Sequence, residues 1–328
     1  MRKLTFKATI FALPILCFVG YLERSLRVFP NSYSVKRHAM ERALKDTQIL
    51  ITGSSHSFYG IRPSLLSPHA FSLAYVSQNL YYDTRLALKY LGSMPKLTTV
   101  VIPISYFSLE GSSDLGAENW REPFYYRIYG IRSIRQPWVL ANYSVLALYG
   151  PNEARSLMTQ GPPSCDVGED GGVASGGLAP GSTEKLASRA ALIRHHGGMR
   201  PEYIAENVRR LEELLTALRS RGIRAIFVTT PVYRTYSSGI RRDAYRRMQD
   251  TLGSLCLRYG LRYLNHMEDP RFTEADFSDT DHLDLQGATK FTQILRNEII
   301  SEAFAERAAS HYGVNGVTRN WWAIPNGP

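Results

Sequence analysis

The fold class of this chain is predicted mainly from ten residues, QILITGSSHS, numbered 48–57. Residues 48–52 form a short apolar run with the length of a buried strand, and Gly53 ends it. A serine-rich turn follows, and Ile61 and Pro63 then lead into a helix. A strand, a glycine turn and a helix in this order are typical of the start of a βαβ unit.

The same alternation continues outward from this stretch. Apolar runs predict further strands at residues 70–76, 97–104, 224–229 and 261–265, and helical spacing predicts helices at about 83–91, 204–218, 243–259 and 285–303. Strands that alternate with helices imply a parallel sheet covered on both faces. We therefore predict an α/β fold with a parallel sheet of about five strands and no internal repeat.

The amino terminus has the pattern of a targeting segment. Residues 8–22 contain no charged side chain and follow Arg2, Lys3 and Lys7. Such a run is typical of a signal-peptide core or a short membrane anchor, and a buried helix is the alternative. Because no cleavage site of small residues follows, we predict an uncleaved membrane helix, a signal anchor over residues 1–30. It would place the rest of the chain outside the cytoplasm.

The rest of the chain divides by composition. Residues 31–46 predict an amphipathic linker helix, 47–310 the α/β domain, and 311–328 a C-terminal tail. An insertion is expected at about 106–200. Its residues 161–181 contain seven glycines and three prolines, which predicts a flexible loop without core-forming capacity.

Aromatic residues are dense in the first part of the insertion. They allow two interpretations, a sugar-binding cleft or aromatic packing beneath the insertion. The residues in question are Trp120, Tyr125, Tyr126, Tyr129 and Trp138.

Composition and charge narrow the class of partner. The chain has 328 residues, 44% hydrophobic and 21% charged, which favours a folded protein over a disordered one. A net charge of +10 is compatible with nucleic acid, an anionic membrane surface or an acidic polymer. The basic residues are dispersed as pairs and no nucleic-acid motif accompanies them, so we expect no nucleic-acid partner.

Metal and cofactor motifs are missing from the sequence pattern. Cys17, Cys165 and Cys256 form no CxxC pair, and a bond between the last two stays open. Asp279, Asp281 and Asp284 lack the spacing and the glycine of a calcium loop. The adjacent residues His195 and His196 cannot share one helix face, so we assign them to a surface loop. We predict neither a metal nor a cofactor.

Two polar segments are expected at the same edge of the sheet. Ligands of open parallel sheets bind beyond the carboxyl ends of the strands, where Ser55 follows the first strand. Residues 277–283, FSDTDHL, follow the last strand and contain Asp279 three residues before His282. A serine needs a base to take its proton, and the base needs an acid that fixes its tautomer. The alternative is that the serines of the first turn only cap the following helix.

The two segments together resemble the SGNH/GDSL hydrolase superfamily, in which a Gly-x-Ser block follows the first strand and an Asp-x-x-His block precedes the last helix. Here residues 53–55 and 279–282 match these blocks. The resemblance covers roughly residues 47–303, mainly through the order of elements. It implies a three-layer flavodoxin-like fold, with Ser55 as nucleophile, His282 as base and Asp279 as the acid that orients the base.

The chain departs from this family in the middle blocks. The glycine of the second block would fall near Ser77, and residues 104–107, ISYF, stand where the family has Gly-x-Asn-Asp. We predict the backbone N–H of Ser77 and the side-chain amide of Gln78 or Asn79 as replacement oxyanion donors. The loss of one such donor costs roughly a hundredfold to a thousandfold in rate, so an inactive site is the alternative.

The predicted function is a serine esterase or O-acyltransferase that acts on acyl esters of an extracytoplasmic glycan. The resemblance implies a multispanning membrane acyltransferase as partner, because membrane-tethered proteins similar to this one assist O-acylation of surface polysaccharide. The alternative is a catalytically decayed binding or assembly protein of such a pathway.

Overall fold

The computed structural model describes residues 2–134, 136, 138–174, 177–181 and 188–311. The strands are β1 Ile49–Ile51, β2 Ala70–Ser72, β3 Thr99–Pro103, β4 Arg224–Thr229 and β5 Arg262–Asn265. The α-helices are α1 Arg2–Arg27, α2 Ser32–Ala43, α3 Ser55–Gly60, α4 Pro63–Leu66, α5 Leu80–Leu91, α6 Glu122–Phe124, α7 Val145–Gln160, α8 Arg189–Gly198, α9 Ile204–Arg219, α10 Arg234–Ser237, α11 Arg242–Tyr259 and α12 Leu285–His311. Short 3₁₀ turns occupy Gly116–Arg121, Leu140–Asn142, Pro201–Tyr203 and Glu274–Asp276, and a π-helical turn occupies Tyr125–Tyr129.

The five strands form one parallel sheet in the order β2-β1-β3-β4-β5. Leu50 of β1 lies opposite Phe71 of β2 and Val100 of β3. This is the doubly wound order of flavodoxin-like folds, in which the winding reverses between β1 and β3 and leaves a crevice at their carboxyl ends. The predicted α/β class with about five parallel strands is confirmed, and β4 coincides with the strand predicted at 224–229.

Both faces of the sheet are buried, because successive strand residues point in opposite directions. Leu50, Val100 and Phe227 belong to a large core shared with α2, α5, α9 and α11. Their neighbours along the strands, among them Ile51 and Val101, belong to a second core shared with α4 and α12. The result is three layers, with helices on each side of the sheet.

Helix α1 forms over the predicted signal anchor, but the structure does not support a membrane-spanning helix there. Within the described residues, no helix combines the length and the apolar character that a bilayer crossing requires. Charged residues flank the uncharged run at 8–22, and one of them, Glu23, accepts the backbone N–H groups of Val145 and Leu146 at 2.8 and 3.1 Å. Helix α1 therefore contacts the start of α7.

Helix α2, predicted as a linker, packs into the core of the domain. Tyr33 and Met40 are buried in it. Lys36 is also buried, and its Nζ donates to the carbonyls of Ala74 and Gly171, the latter at 2.6 Å. Burial lowers the pKa of Lys36 to about 7, and the charges of Asp166 and Asp170 oppose this change.

Part of the glycine-rich segment, around residues 167–172, packs against the sheet, so the prediction that it has no core-forming capacity is wrong there. Ser72 of β2 donates its N–H to Asp170 O at 2.9 Å. A Cβ atom on Gly171 would lie 2.1 Å from the Ser72 carbonyl oxygen. Glycine thus allows this segment to lie directly against β2, and Val167 is buried beside it.

The aromatic cluster of the insertion is divided between core and surface. Tyr125 and Tyr129 are buried, and the ring of Tyr125 stacks on Tyr82 with centroids 4.0 Å apart. Trp120 and Trp138 are exposed. Aromatic packing therefore describes the two tyrosines.

The structure contains no bond between Cys165 and Cys256, because both are free thiols, as is Cys17.

Candidate active site

The turn after β1 depends on Gly53 and presents Ser55 at the first position of α3. Gly53 has φ +116°, and a Cβ on it would lie 2.9 Å from the Cβ of Ser57. Ser57 Oγ donates to Thr52 O at 2.8 Å, which closes the turn. Ser54 occupies the N-cap position without a side-chain capping bond. Helix capping is therefore not what holds these serine side chains in place.

The structure brings the three residues of the predicted triad together. Ser55 Oγ lies 2.8 Å from His282 Nε2, although 227 residues separate the two in the chain. His282 Nδ1 lies 2.9 Å from each carboxylate oxygen of Asp279. Asp279 Oδ1 also accepts the backbone N–H of His282 at 2.8 Å, which holds the carboxylate against the ring. Each distance is within hydrogen-bond reach, as proton transfer requires.

His282 has the surroundings of a strengthened base. Burial lowers its pKa, but the hydrogen bond to Asp279 and the negative charge of Asp281 outweigh this effect. The pKa of His282 therefore lies above the ordinary value for histidine. Its side chain is 12% exposed.

Ser77, predicted as an oxyanion donor, adopts a left-handed backbone conformation with φ +59°. Among the described residues it is the only non-glycine with positive φ. Left-handed backbone favours glycine, which is the residue that the resemblance places here. The backbone N–H of Ser77 has no hydrogen-bond partner in the described part of the chain, so its role as a donor stays a prediction.

The other two predicted oxyanion residues use their side-chain amides elsewhere. Gln78 Nε2 donates to Asp83 Oδ1 at 2.6 Å and to Leu73 O at 3.1 Å. Asn79 Nδ2 donates to the carbonyls of Ser112 and Asp114 at 3.0 and 3.2 Å. These amides fix the loops around the site.

Asp83 accepts a hydrogen bond from the turn that carries Ser55, and it was not identified from the sequence. Its Oδ1 accepts the Gly53 N–H at 2.9 Å as well as the Gln78 amide. Burial raises the pKa of Asp83 to about 7, and the bonds from Gln78 and Gly53 oppose the increase. Acidic residues are common in the first turn of a helix, where they interact favourably with the helix dipole. The position of Asp83 in α5 therefore did not indicate a role in the site.

A second group of titratable side chains lies beside the triad, on residues adjacent to it in sequence. His56 Nε2 lies 3.2 Å from Asp281 Oδ2, and His56 Nδ1 lies 2.9 Å from Ser105 Oγ. Burial favours a higher pKa for Asp281, but the hydrogen bond from His56 and the charge of His282 hold that pKa well below its usual range. The sequence signal was the presence of a second acid and a second histidine inside the two motifs.

His195 also belongs to this group, which corrects its assignment to a surface loop. It lies on α8 with its ring stacked on Phe107, centroids 4.1 Å apart, and its Nε2 is 3.8 Å from Asp281 Oδ2. Burial lowers the pKa of His195 to about 3. The ring of the adjacent His196 instead packs edge-to-face against Tyr106, with centroids 6.0 Å apart, so His195 is the member of the pair that lies beside Asp281. His56, His195 and Asp281 have the donor types and the proximity to hold a metal ion, as do Asp279, Asp281 and His282.

Comparisons with known proteins give weak similarities of fold. No protein-family model matches the sequence. No curated protein matches it either. A candidate lipolytic protein of the G-D-S-L family from Desulfitobacterium hafniense has 10% identity and a TM-score of 0.37, with 76% of this chain and 98% of that chain covered. A candidate acylhydrolase from Bacteroides fragilis has 10% identity and a TM-score of 0.38, with 82% and 99% covered. A candidate arylesterase from Agrobacterium tumefaciens has 13% identity and a TM-score of 0.35, with 78% and 99% covered.

These TM-scores lie below 0.5, so the similarities identify neither a family nor an activity for this chain.

Proposed function

We propose that this chain is a serine-dependent ester hydrolase or acyltransferase with Ser55 as its nucleophile. The observation that carries the proposal is the continuous hydrogen-bond chain from Ser55 through His282 to Asp279. The alcohol and the imidazole come from two distant segments that meet at the carboxyl edge of the sheet, where open α/β folds bind their ligands.

The geometry supports a two-step acyl transfer. His282 Nε2 takes the proton of Ser55 as Oγ forms a bond to the ester carbonyl carbon. The tetrahedral intermediate then collapses, the bond to the leaving alkoxide breaks, and the proton on Nε2 passes to that oxygen. Water or an acceptor hydroxyl next gives its proton to His282 Nε2 and attacks the acyl-Ser55 carbonyl. The bond from that carbon to Ser55 Oγ then breaks, and His282 returns the proton to Oγ. Asp279 stabilises the imidazolium in both steps.

The oxyanion of the intermediate needs donors other than those of Gln78 and Asn79. The backbone N–H of Ser77 supports the proposal as one donor, since that group makes no backbone hydrogen bond within the described residues. Each donor of this kind contributes roughly a hundredfold or more in rate.

The acceptor divides the proposal into two activities. Water as acceptor gives an esterase, and a glycan hydroxyl gives an O-acyltransferase. An extracytoplasmic glycan as substrate and a multispanning acyltransferase as partner stay predictions from the resemblance. The short bonds of the triad favour an active enzyme over the alternative of a decayed binding protein.

A fluorophosphonate probe and p-nitrophenyl acetate test the nucleophile directly. We expect wild-type protein to be labelled at Ser55 and to hydrolyse the ester. S55A should lose labelling and lower the rate by on the order of 10⁴-fold or more. S54A is the matched control, because Ser54 is adjacent and its side chain makes no capping bond. An unlabelled wild type, or an S55A variant with unchanged turnover, would remove Ser55 from the mechanism.

A glycan acceptor distinguishes hydrolysis from transfer. With an O-acyl donor and an excess of unacylated oligosaccharide, a transferase should yield acylated oligosaccharide at the expense of free acid. An esterase should release free acid at the same rate whether or not the oligosaccharide is present.

A further inference from the structure

Three side chains with little solvent exposure converge beside the triad without a place in the acyl-transfer steps. His56 lies on α3, His195 on α8, and Asp281 on the segment between β5 and α12. Their side chains are 4%, 14% and 2% exposed. We propose that these residues, named here the His-Asp site, bind one divalent transition metal ion, for which Zn²⁺ is the best match.

The spacing of the ligand atoms fits a metal of this size. One ligand atom from each residue lies within 4.8 Å of the other two. Asp281 Oδ2 is 3.2 Å from His56 Nε2 and 3.8 Å from His195 Nε2. Zinc bonds of about 2.0–2.1 Å in tetrahedral geometry separate two ligand atoms by about 3.3–3.4 Å. The two distances lie on either side of that value, so small side-chain shifts would bring the three ligand atoms to zinc-binding distance and leave the fourth position for water.

The outer nitrogen of each imidazole bonds to a hydroxyl group. His56 Nδ1 lies 2.9 Å from Ser105 Oγ, and His195 Nδ1 makes a short hydrogen bond with Tyr236 Oη. Histidines that bind metals usually donate their second N–H to a neighbouring oxygen, which fixes the tautomer and turns the lone pair inward. Both Nε2 atoms face the Asp281 carboxylate in this arrangement. At 3.8 Å, His195 Nε2 is too far from Asp281 for a direct hydrogen bond.

Arg194 is the competing cation. Its guanidinium lies 3.6 Å from Asp281 Oδ2, but the side chain is 61% exposed and reaches the carboxylate from outside. A buried carboxylate needs a compensating charge, and a metal supplies it with better geometry than a distant guanidinium. The other oxygen, Asp281 Oδ1, is 3.8 Å from His282 Nδ1. The ion would therefore lie on the Nδ1 side of His282 and connect α8 to the segment that carries His282.

The test uses full-length, tag-free protein treated with chelator and then titrated with Zn²⁺ and with Co²⁺. We expect one metal equivalent per chain after dialysis, measured by atomic emission, and the intense visible absorption of tetrahedral Co²⁺. H195A and H195Q should each weaken binding by more than about 100-fold, which exceeds the usual cost of losing only an outer partner. Zn²⁺ should raise the Tm of the wild type and leave that of both variants unchanged.

Controls separate this site from its surroundings. H196A changes the neighbouring histidine on the same helix and should keep full binding. S55A should also keep it, so a failed nucleophile and a failed metal site give different results. R194A should bind at least as tightly as the wild type, because it removes the competing charge. Absence of stoichiometric binding in the wild type, equal binding by H195A, or loss of binding in R194A would each overturn the proposal.

Discussion

Replacement of Asp83 by asparagine should change how the stability of this protein depends on pH. Both hydrogen bonds to this side chain end on Oδ1, which an asparagine also provides. The D83N variant can therefore keep the bonds to Gly53 and Gln78 while removing the ionisable group. Because the side chain is buried, the pKa of Asp83 rises from 3.8 to about 7 on folding.

The sign and size follow from these two pKa values. Between pH 4 and pH 7 the unfolded chain releases the proton of Asp83 and the folded chain retains it, so wild-type stability falls as pH rises through this window. A difference of about 3 pKa units at 1.36 kcal/mol each corresponds to on the order of 4 kcal/mol. Below pH 4 the term is fully favourable, and above pH 7 it is lost.

Urea unfolding followed by circular dichroism at pH 4, 6 and 8 measures the effect as a difference between two proteins. The free energy of unfolding of the wild type should fall relative to that of D83N by a few kcal/mol from pH 4 to pH 8, while other titrating groups cancel. D250N, on an exposed carboxylate of α11, should run parallel to the wild type. A wild-type minus D83N difference that is constant with pH would refute the reasoning about burial.

Three further predictions concern the base, the strained turn and the glycine-rich segment. D279N should move the midpoint of the pH profile of kcat/KM to lower pH, because the neutral form of His282 is the base and its raised pKa depends on Asp279. An unchanged midpoint would contradict this role of Asp279. S77G should keep or raise the free energy of unfolding by up to about 1 kcal/mol, whereas S77V should lower it by at least about 1 kcal/mol, as measured in urea, since only glycine tolerates this φ without strain. G171A should lower the Tm through a loss of at least about 2 kcal/mol, and G197A, which meets no atom within 4 Å, should not.

The elements that the sequence predicted well are those that local patterns determine. The strand at 224–229 is an uninterrupted apolar run, and helix α11, predicted at 243–259, shows its apolar spacing over four turns. Ser55 and His282 were also predictable as a pair, because the carboxyl edge of a parallel sheet brings such loops together.

The features that the sequence did not predict depend on tertiary partners. Gln78 and Asn79 looked like free amide donors until Asp83 and the loop at 112–114 were placed next to them. Glycines at 161–181 predict a flexible loop from the sequence alone, but in the structure Gly171 allows close contact with β2. His195 was missed because its partner, Asp281, lies on a segment that only the fold brings near.

The buried ammonium of Lys36 has a practical consequence for shortening this protein. An expression fragment that begins at residue 47 would match the domain boundary that composition suggests. It would, however, lack the Lys36 ammonium that donates to the carbonyls of Ala74 and Gly171. It would also leave a cavity in the core where the side chains of Tyr33 and Met40 pack. Such a fragment should collect in inclusion bodies, and a soluble version has to start ahead of Asn31, whose side chain caps α2.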